Sequence, residues 1–364
     1  MEKIALKKLY ISRQNIPLLL YVFCLILLYC NGKFFAFAYP FVPYINLCFS
    51  LCVISKICRM KEKRAILFLL AVFYVVFASM VNGSSFGAAS AFLAVFAYIL
   101  YFEKIHVNDS FMKILLFGGL CMILWYLPKV NTVYSDFIAG TAMYSPNSIS
   151  MVLVVIFIWF STYFHMKREK SGALVIILYL CIMAMVFMMK TRSAMAILLL
   201  YGILFWGVPR RLYNRKKLVM FTTVLIITFG CIFPVIYVSL SSNSFIAEFI
   251  YKLTGKYLFT GRDLIWKRFF TAMKENEMGF LIGLGSHAEY SIGQGLSLHN
   301  SYLNIILNYG IGGIVILAGF LCLKIKDLYR KSNGRLSTGQ ISLMAGYLCV
   351  SPSLLSFHFN RKAV

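Results

Sequence analysis

Runs of about 15 to 23 mostly apolar residues recur along the whole chain, near 16–30, 34–55, 65–81, 86–102, 112–128, 149–165, 172–189, 193–208, 218–240, 301–323 and 339–357. Each is long enough to cross, or nearly cross, a hydrocarbon core about 30 Å thick. Inside such a core every backbone polar group must be paired within the segment, which leaves helices as the structure for runs of this length. The sequence therefore predicts an all-α integral membrane protein with about 11 transmembrane helices. Of its 364 residues 61% are hydrophobic and only 13% charged, which excludes an ordinary soluble domain.

The net charge of +24 would point to nucleic acid if the basic residues shared a face. They fall instead in short clusters between apolar runs, which is the pattern of membrane topology, and no nucleic-acid partner is expected. With the N-terminus in the cytoplasm, the turns on that side carry Lys56 to Arg64, Lys104 to Lys113, Lys167 to Lys170, Arg210 to Lys217 and Lys324 to Arg335. About two thirds of the 36 Lys and Arg residues then lie inside. The chain divides into helices 1–9 over residues 1–240, a long external loop over 241–300, and C-terminal transmembrane helices over 301–364. The last of these contains Pro352 and suits a re-entrant or shifted span as well as a full crossing.

The 12 carboxylates exclude more than they suggest, since none stands at the middle of an apolar run. Ion-coupled carriers usually hold ionisable groups at that depth. No paired-acid motif and no His/Cys cluster has metal-binding spacing, so the expected chemistry uses neither metal nor cofactor. The ten cysteines sit almost entirely inside apolar runs as small buried hydrophobes.

Polar residues at the external ends of segments remain. Arg192, in Met189-Lys190-Thr191-Arg192-Ser193-Ala194, stands where two segments meet at headgroup depth. It is either a snorkelling arginine or a fork for phosphate oxygens. Arg262 precedes Ile265, Trp266, Phe269, Phe270 and Met273, whose spacing predicts an amphipathic helix lying on the membrane face, opened by a capping pair of Thr260 and Asp263. A cation in a first helical turn opposes the macrodipole unless an anion is also bound, and the bland alternative is a surface arginine paired with an acid. His299 stands before Asn300, Ser301 and Tyr302, as an interfacial residue or as a base active near neutral pH. Upstream, Gly283, Gly285, Gly293 and Gly295 form what reads as a flexible approach. Asn147, following Tyr144-Ser145-Pro146, serves equally well as a helix start.

In order and placement these residues resemble the bacterial O-antigen polymerase and O-antigen ligase superfamily. The likeness rests on Pro146-Asn147, Thr191-Arg192-Ser193-Ala194, Gly261-Arg262 with Trp266, and His299-Asn300-Ser301-Tyr302 followed by Gly310 and Gly312-Gly313. The resemblance implies a fold similar to the type-C glycosyltransferases and a multi-pass protein of the bacterial plasma membrane with its active site outside. Its substrate would be a glycan on undecaprenyl diphosphate, its neighbours membrane lipid, a chain-length regulator and a flippase. Arg192 and Arg262 would grip the lipid diphosphate, and His299 would orient or deprotonate the attacking hydroxyl. Tyr144, Asn147, Trp266, Asn300 and Tyr302 would contact substrate. The expected activity is polymerisation of lipid-linked repeat units into O-antigen, capsule or exopolysaccharide. An O-antigen ligase, and a lipid-linked oligosaccharide flippase or transporter, stay open as alternatives.

Overall fold

A computed structural model describes residues 39–58, 63–104, 109–138, 145–167, 172–240, 262–293, 298 and 300–354, with Phe245 and Glu248 as isolated positions. Among the described residues there are helices and turns and no strand. The α-helices are α1 (Val42–Cys58), α2 (Lys63–Asn82), α3 (Phe86–Lys104), α4 (Asp109–Tyr126), α5 (Val133–Ile138), α6 (Pro146–Met166), α7 (Gly172–Met188) and α8 (Arg192–Gly202). They continue with α9 (Arg210–Tyr213), α10 (Lys216–Leu240), α11 (Arg262–Glu275), α12 (Glu277–Ile282), α13 (Ser286–Gly293), α14 (Ser301–Lys331) and α15 (Thr338–Leu354).

By length and apolarity α6, α10, α14 and the stretch Met112–Lys129 are able to cross a membrane, and shorter apolar helices accompany them. The outward faces carry large apolar side chains in quantity: Phe73 is 71% exposed, Phe187 66%, Phe221 64% and Val315 63%. Water does not tolerate such contiguous apolar surface, whereas lipid does. The expected first segment, 16–30, lies outside the described residues.

The described chain forms two compact units, one from Met1–Lys56 and Ala94–Leu199, the other from Ile57–Leu93 and Leu200–Val364. In the first unit α6 is central, with Leu153, Val154 and Phe157 fully buried. Its Ile156 lies against Gly119 of α4, where any added Cβ would meet it at 2.8 Å. On another side Phe157 meets Tyr179 of α7 with ring centroids 5.5 Å apart. Pro146 at the first turn is compatible with a helix start, and the Ser145 hydroxyl accepts from the Ser148 amide at 3.2 Å as the cap.

In the second unit α14 is the axis, and it is two helices. At Gly310 the backbone takes φ 57° and ψ −163°, so Ser301–Tyr309 forms a half-helix and the rest runs on after a sharp turn. The single run expected over 301–323 is thus broken within its first half. Residue 310 must be glycine, because an added Cβ would lie inside contact distance of the Leu281 carbonyl as well as in a left-handed backbone conformation. The partner in this crossing is the strap Leu281–Gly285, whose Leu284 and Gly285 amides both donate to the Leu307 carbonyl, at 2.7 and 2.9 Å.

Two side chains of α2 fasten the crossing. The Tyr74 hydroxyl is within reach of the Leu281 carbonyl at 3.1 Å and the Tyr309 carbonyl at 2.7 Å. The Asn82 amide nitrogen donates to the Ile282 carbonyl at 3.1 Å and the Asn308 carbonyl at 2.8 Å. Each thus ties the strap to the half-helix. At the opposite end of α14, Tyr329 donates to the Tyr213 carbonyl, and the Leu336 amide donates to Asn214 Oδ1 at 3.0 Å. Tyr213, Val219, Ile325, Ile341, Met344 and Leu348 close that end as one apolar cluster.

Candidate functional site

The first unit gathers two of the expected positions. Helix α7 is stopped by Lys190, two residues past its end, in the left-handed region, φ 54°. The Lys190 amide donates to the Phe187 carbonyl at 2.9 Å and the Thr191 amide to the Val186 carbonyl at 3.3 Å, the bonding pattern of a Schellman stop. Glycine usually fills that place, and a lysine there costs roughly 1–2 kcal/mol of backbone strain. Its ammonium stands 5.4 Å from the centre of the Tyr134 ring. The chain turns at once into α8, and Thr191, 2% exposed, is the pivot. Its hydroxyl donates to Ser150 Oγ at 2.8 Å and is 3.2 Å from the Val186 carbonyl.

That bond holds the first turns of α6 and α8 side by side. Asn147 lies three residues before Ser150, one turn toward the helix start, and Arg192 directly follows Thr191; both side chains are exposed. The first amides of a helix have no partner within it, and the macrodipole makes its start electropositive. The α6 start begins with Pro146 and is capped by Ser145, so the α8 start, with Arg192 and Lys190 beside it, is the place suited to an anion with paired oxygens, such as phosphate.

The second unit gathers another set. Helix α11 begins at Arg262, half-buried, with Asp263 beside it in the first turn. The amphipathic pattern is present, but the buried Ile265, Trp266, Phe269 and Met273 are turned into the protein. The Trp266 ring is 4.9 Å from Tyr237 and 6.3 Å from Phe233, both on α10. Protein therefore occupies much of the face that the sequence assigns to the membrane. Trp266 is 3% exposed, and its indole N–H donates to the Leu298 carbonyl at 2.7 Å.

Asn300 caps the half-helix, its Oδ1 accepting from the Tyr302 amide at 2.9 Å and the Leu303 amide at 3.1 Å. Its amide nitrogen donates to the Gly230 carbonyl of α10 at 3.1 Å. The Tyr302 ring, 1% exposed, fills the space that a side chain at Gly230 would take. Trp266, Asn300 and Tyr302 are thus committed to the protein's own backbone and packing. In this state they hold Leu298 and the start of the half-helix and offer no open face to a sugar. His299 and Tyr144 lie outside the described residues, as does Thr260 of the expected capping pair.

Sequence reasoning did not single out Ser150, Tyr74, Asn82, Gly230 or Asn308. Asn82-Gly83 carries a local turn signal, but the long-range partners of Tyr74 and Asn82 leave no mark in the sequence. Of the glycines expected to form a flexible approach, Gly283 and Gly285 do the reverse, and Gly295 lies outside the described residues. At Gly283 φ is 97°, and an added Cβ would meet the backbone of Asn308 and Tyr309, so this residue admits a close backbone crossing.

Among the described residues no three His, Cys, Asp or Glu side chains converge as a metal cage. No family model, no curated protein and no solved structure matches the chain. Fold and geometry define an all-α membrane protein in which Arg192, Arg262 and Asn300 stand at the starts of described helices.

Proposed function

We propose that this protein is a polymerase of the bacterial plasma membrane that joins repeat units carried on undecaprenyl diphosphate into a surface polysaccharide. The observation that supports it most is the bond between Thr191 and Ser150, which brings Asn147 and Arg192, 45 residues apart in sequence, to one electropositive end of the first unit. In the second unit Arg262 stands one helical turn before Trp266, which holds the carbonyl next to residue 299. Transfer from a polyprenyl diphosphate breaks an anomeric C–O bond, and negative charge grows on the departing diphosphate oxygen. Arg192 and Arg262 are assigned to that charge, and removing one preorganised donor of this kind costs roughly 10²- to 10³-fold in rate. His299 is assigned to the attacking hydroxyl, worth roughly 10²- to 10⁴-fold.

The pairing of turns is consistent with the expected topology. In the second unit the 82–85 turn meets the strap near 281–286, the Ser85 amide donating to Ser286 Oγ at 2.5 Å, and both fall on the expected outer side. Asn214 and Leu336, at the other end of α14, both fall on the inner side. The test is a strain lacking this protein alone. It should accumulate single repeat units accessible from outside, and restoring the gene should restore the ladder. Long chains retained on the lipid carrier would indicate a ligase.

One observation favours a second reading. Discontinuous helices with buried polar residues line substrate paths in carriers, and α14 is broken at Gly310 with Asn304 and Asn308 buried beside the break. A flippase defect would leave single units facing the cytoplasm, so the sidedness of the accumulated unit separates the two.

A further inference from the structure

Among the side-chain oxygens that the half-helix Ser301–Tyr309 buries, Ser301 Oγ and Asn304 Oδ1 stand out because both lie on one face. Ser301 is 1% and Asn304 7% exposed, and among the described residues neither Ser301 Oγ nor Asn304 Oδ1 has a hydrogen-bond partner. Three residues apart, they share a helix face. Asn308, one turn further, extends the same stripe and is satisfied: its amide nitrogen donates to the Asn304 carbonyl at 2.9 Å, and its Oδ1 accepts from Ser84 Oγ at 3.3 Å. Other sides of the half-helix are occupied by packing, Tyr302 against Gly230 and Tyr309 stacked on Phe92 at 4.8 Å. The stripe begins beside the half-buried Asn300 and descends about 1.5 Å per residue.

Leaving a buried acceptor unpaired costs free energy, and apolar residues are readily accommodated here, as the neighbours Leu303, Ile305, Ile306 and Leu307 show. Positions that forgo stability in this way are where function is concentrated. The stripe is uncharged, and residues 300–323 include no Asp, Glu, Lys, Arg or His. A buried ion would need a charged counterpart. A hydroxyl, which both donates and accepts, would not.

We propose that Ser301 and Asn304 form a hydroxyl-recognition subsite for the acceptor sugar, an inference that rests on the polymerase reading. Both oxygens are covered in this state, so the glycan reaches them by displacing the side chains packed at the Asn300 end. The test uses purified full-length protein, lipid-linked repeat units from the host strain, and the variants Asn304→Leu and Ser301→Ala. Asn304→Leu should melt at or above the wild-type temperature while its KM for acceptor rises roughly 10-fold, the effect of about one hydrogen bond. Ser301→Ala, too small a change to prevent folding, should raise KM in the same direction by less. Unchanged KM in Ser301→Ala, or in a folded Asn304→Leu, overturns the subsite and leaves a buried polar pair with no ligand. If wild-type protein polymerises nothing, the parent reading has failed. Saturation-transfer NMR with the free repeat-unit oligosaccharide then still decides the subsite, which requires binding to wild type and its loss in Asn304→Leu.

Discussion

Tyr74 and Asn82 each spend one polar side chain on two carbonyls, one from the strap and one from the half-helix. Tyr74→Phe keeps the ring and removes the donor, and we expect it to cost roughly 1–3 kcal/mol, seen as a lower melting temperature of the purified protein. Gly310→Ala should do worse, because the backbone conformation and the Leu281 carbonyl both oppose a Cβ. Gly319→Ala is the control: nothing lies within 4 Å of its Cβ position, and the change should be neutral or stabilising by up to about 1 kcal/mol. Comparable accumulation of the Gly310 and Gly319 variants in membranes would contradict the close crossing. Arg192→Ala and Arg262→Ala should each lower polymer formation by roughly 10²- to 10³-fold with membrane insertion intact. Lysine should rescue poorly, since a point charge does not replace the bidentate fork. Full activity in Arg262→Lys would remove the fork from the account.

At the scale of elements, α11 shows what was legible and what was not. The spacing of Ile265, Trp266, Phe269, Phe270 and Met273 marks an apolar stripe, and the structure buries all of it but the half-buried Phe270. A stripe states that a face is apolar, not whether lipid or protein covers it, and here Phe233 and Tyr237 of α10 meet it. The break at Gly310 was hidden for a related reason. Glycine is common in membrane helices, and only the backbone of a strap some 25 residues earlier makes this one obligatory. By contrast, the turn between α7 and α8 falls where local residues place it. Trp266→Phe tests the role left to α11. It retains the ring against Tyr237 but loses the bond to the Leu298 carbonyl, so stability should fall by about 1 kcal/mol. Polymer yield should fall more, by roughly 10- to 100-fold, if the bond sets the geometry of the segment that follows. Undiminished yield would show that this segment needs no such anchor.

For the whole molecule, charge clusters and apolar runs set the side on which each turn is expected, and the turns that meet within the second unit are ones expected on the same side. Asn82–Ser85 meets the strap and Tyr213–Asn214 meets the region of Leu336, at opposite ends of the second unit. Cysteines introduced at Ser242 and Gly293 should be labelled from outside, and those at Asn214 and Asn333 should not; the opposite pattern would place the arginines on the wrong face for an exported substrate. The most direct measurement is polymerisation by the purified protein alone, given undecaprenyl-diphosphate-linked repeat units in the presence of a chelator. A ladder of longer glycans should form, persist on chelation and disappear in Arg192→Ala and Arg262→Ala. Units that stay single with folded wild-type protein, or a ladder that stops on chelation and returns with Mg²⁺ or Mn²⁺, would contradict the metal-free polymerase reading.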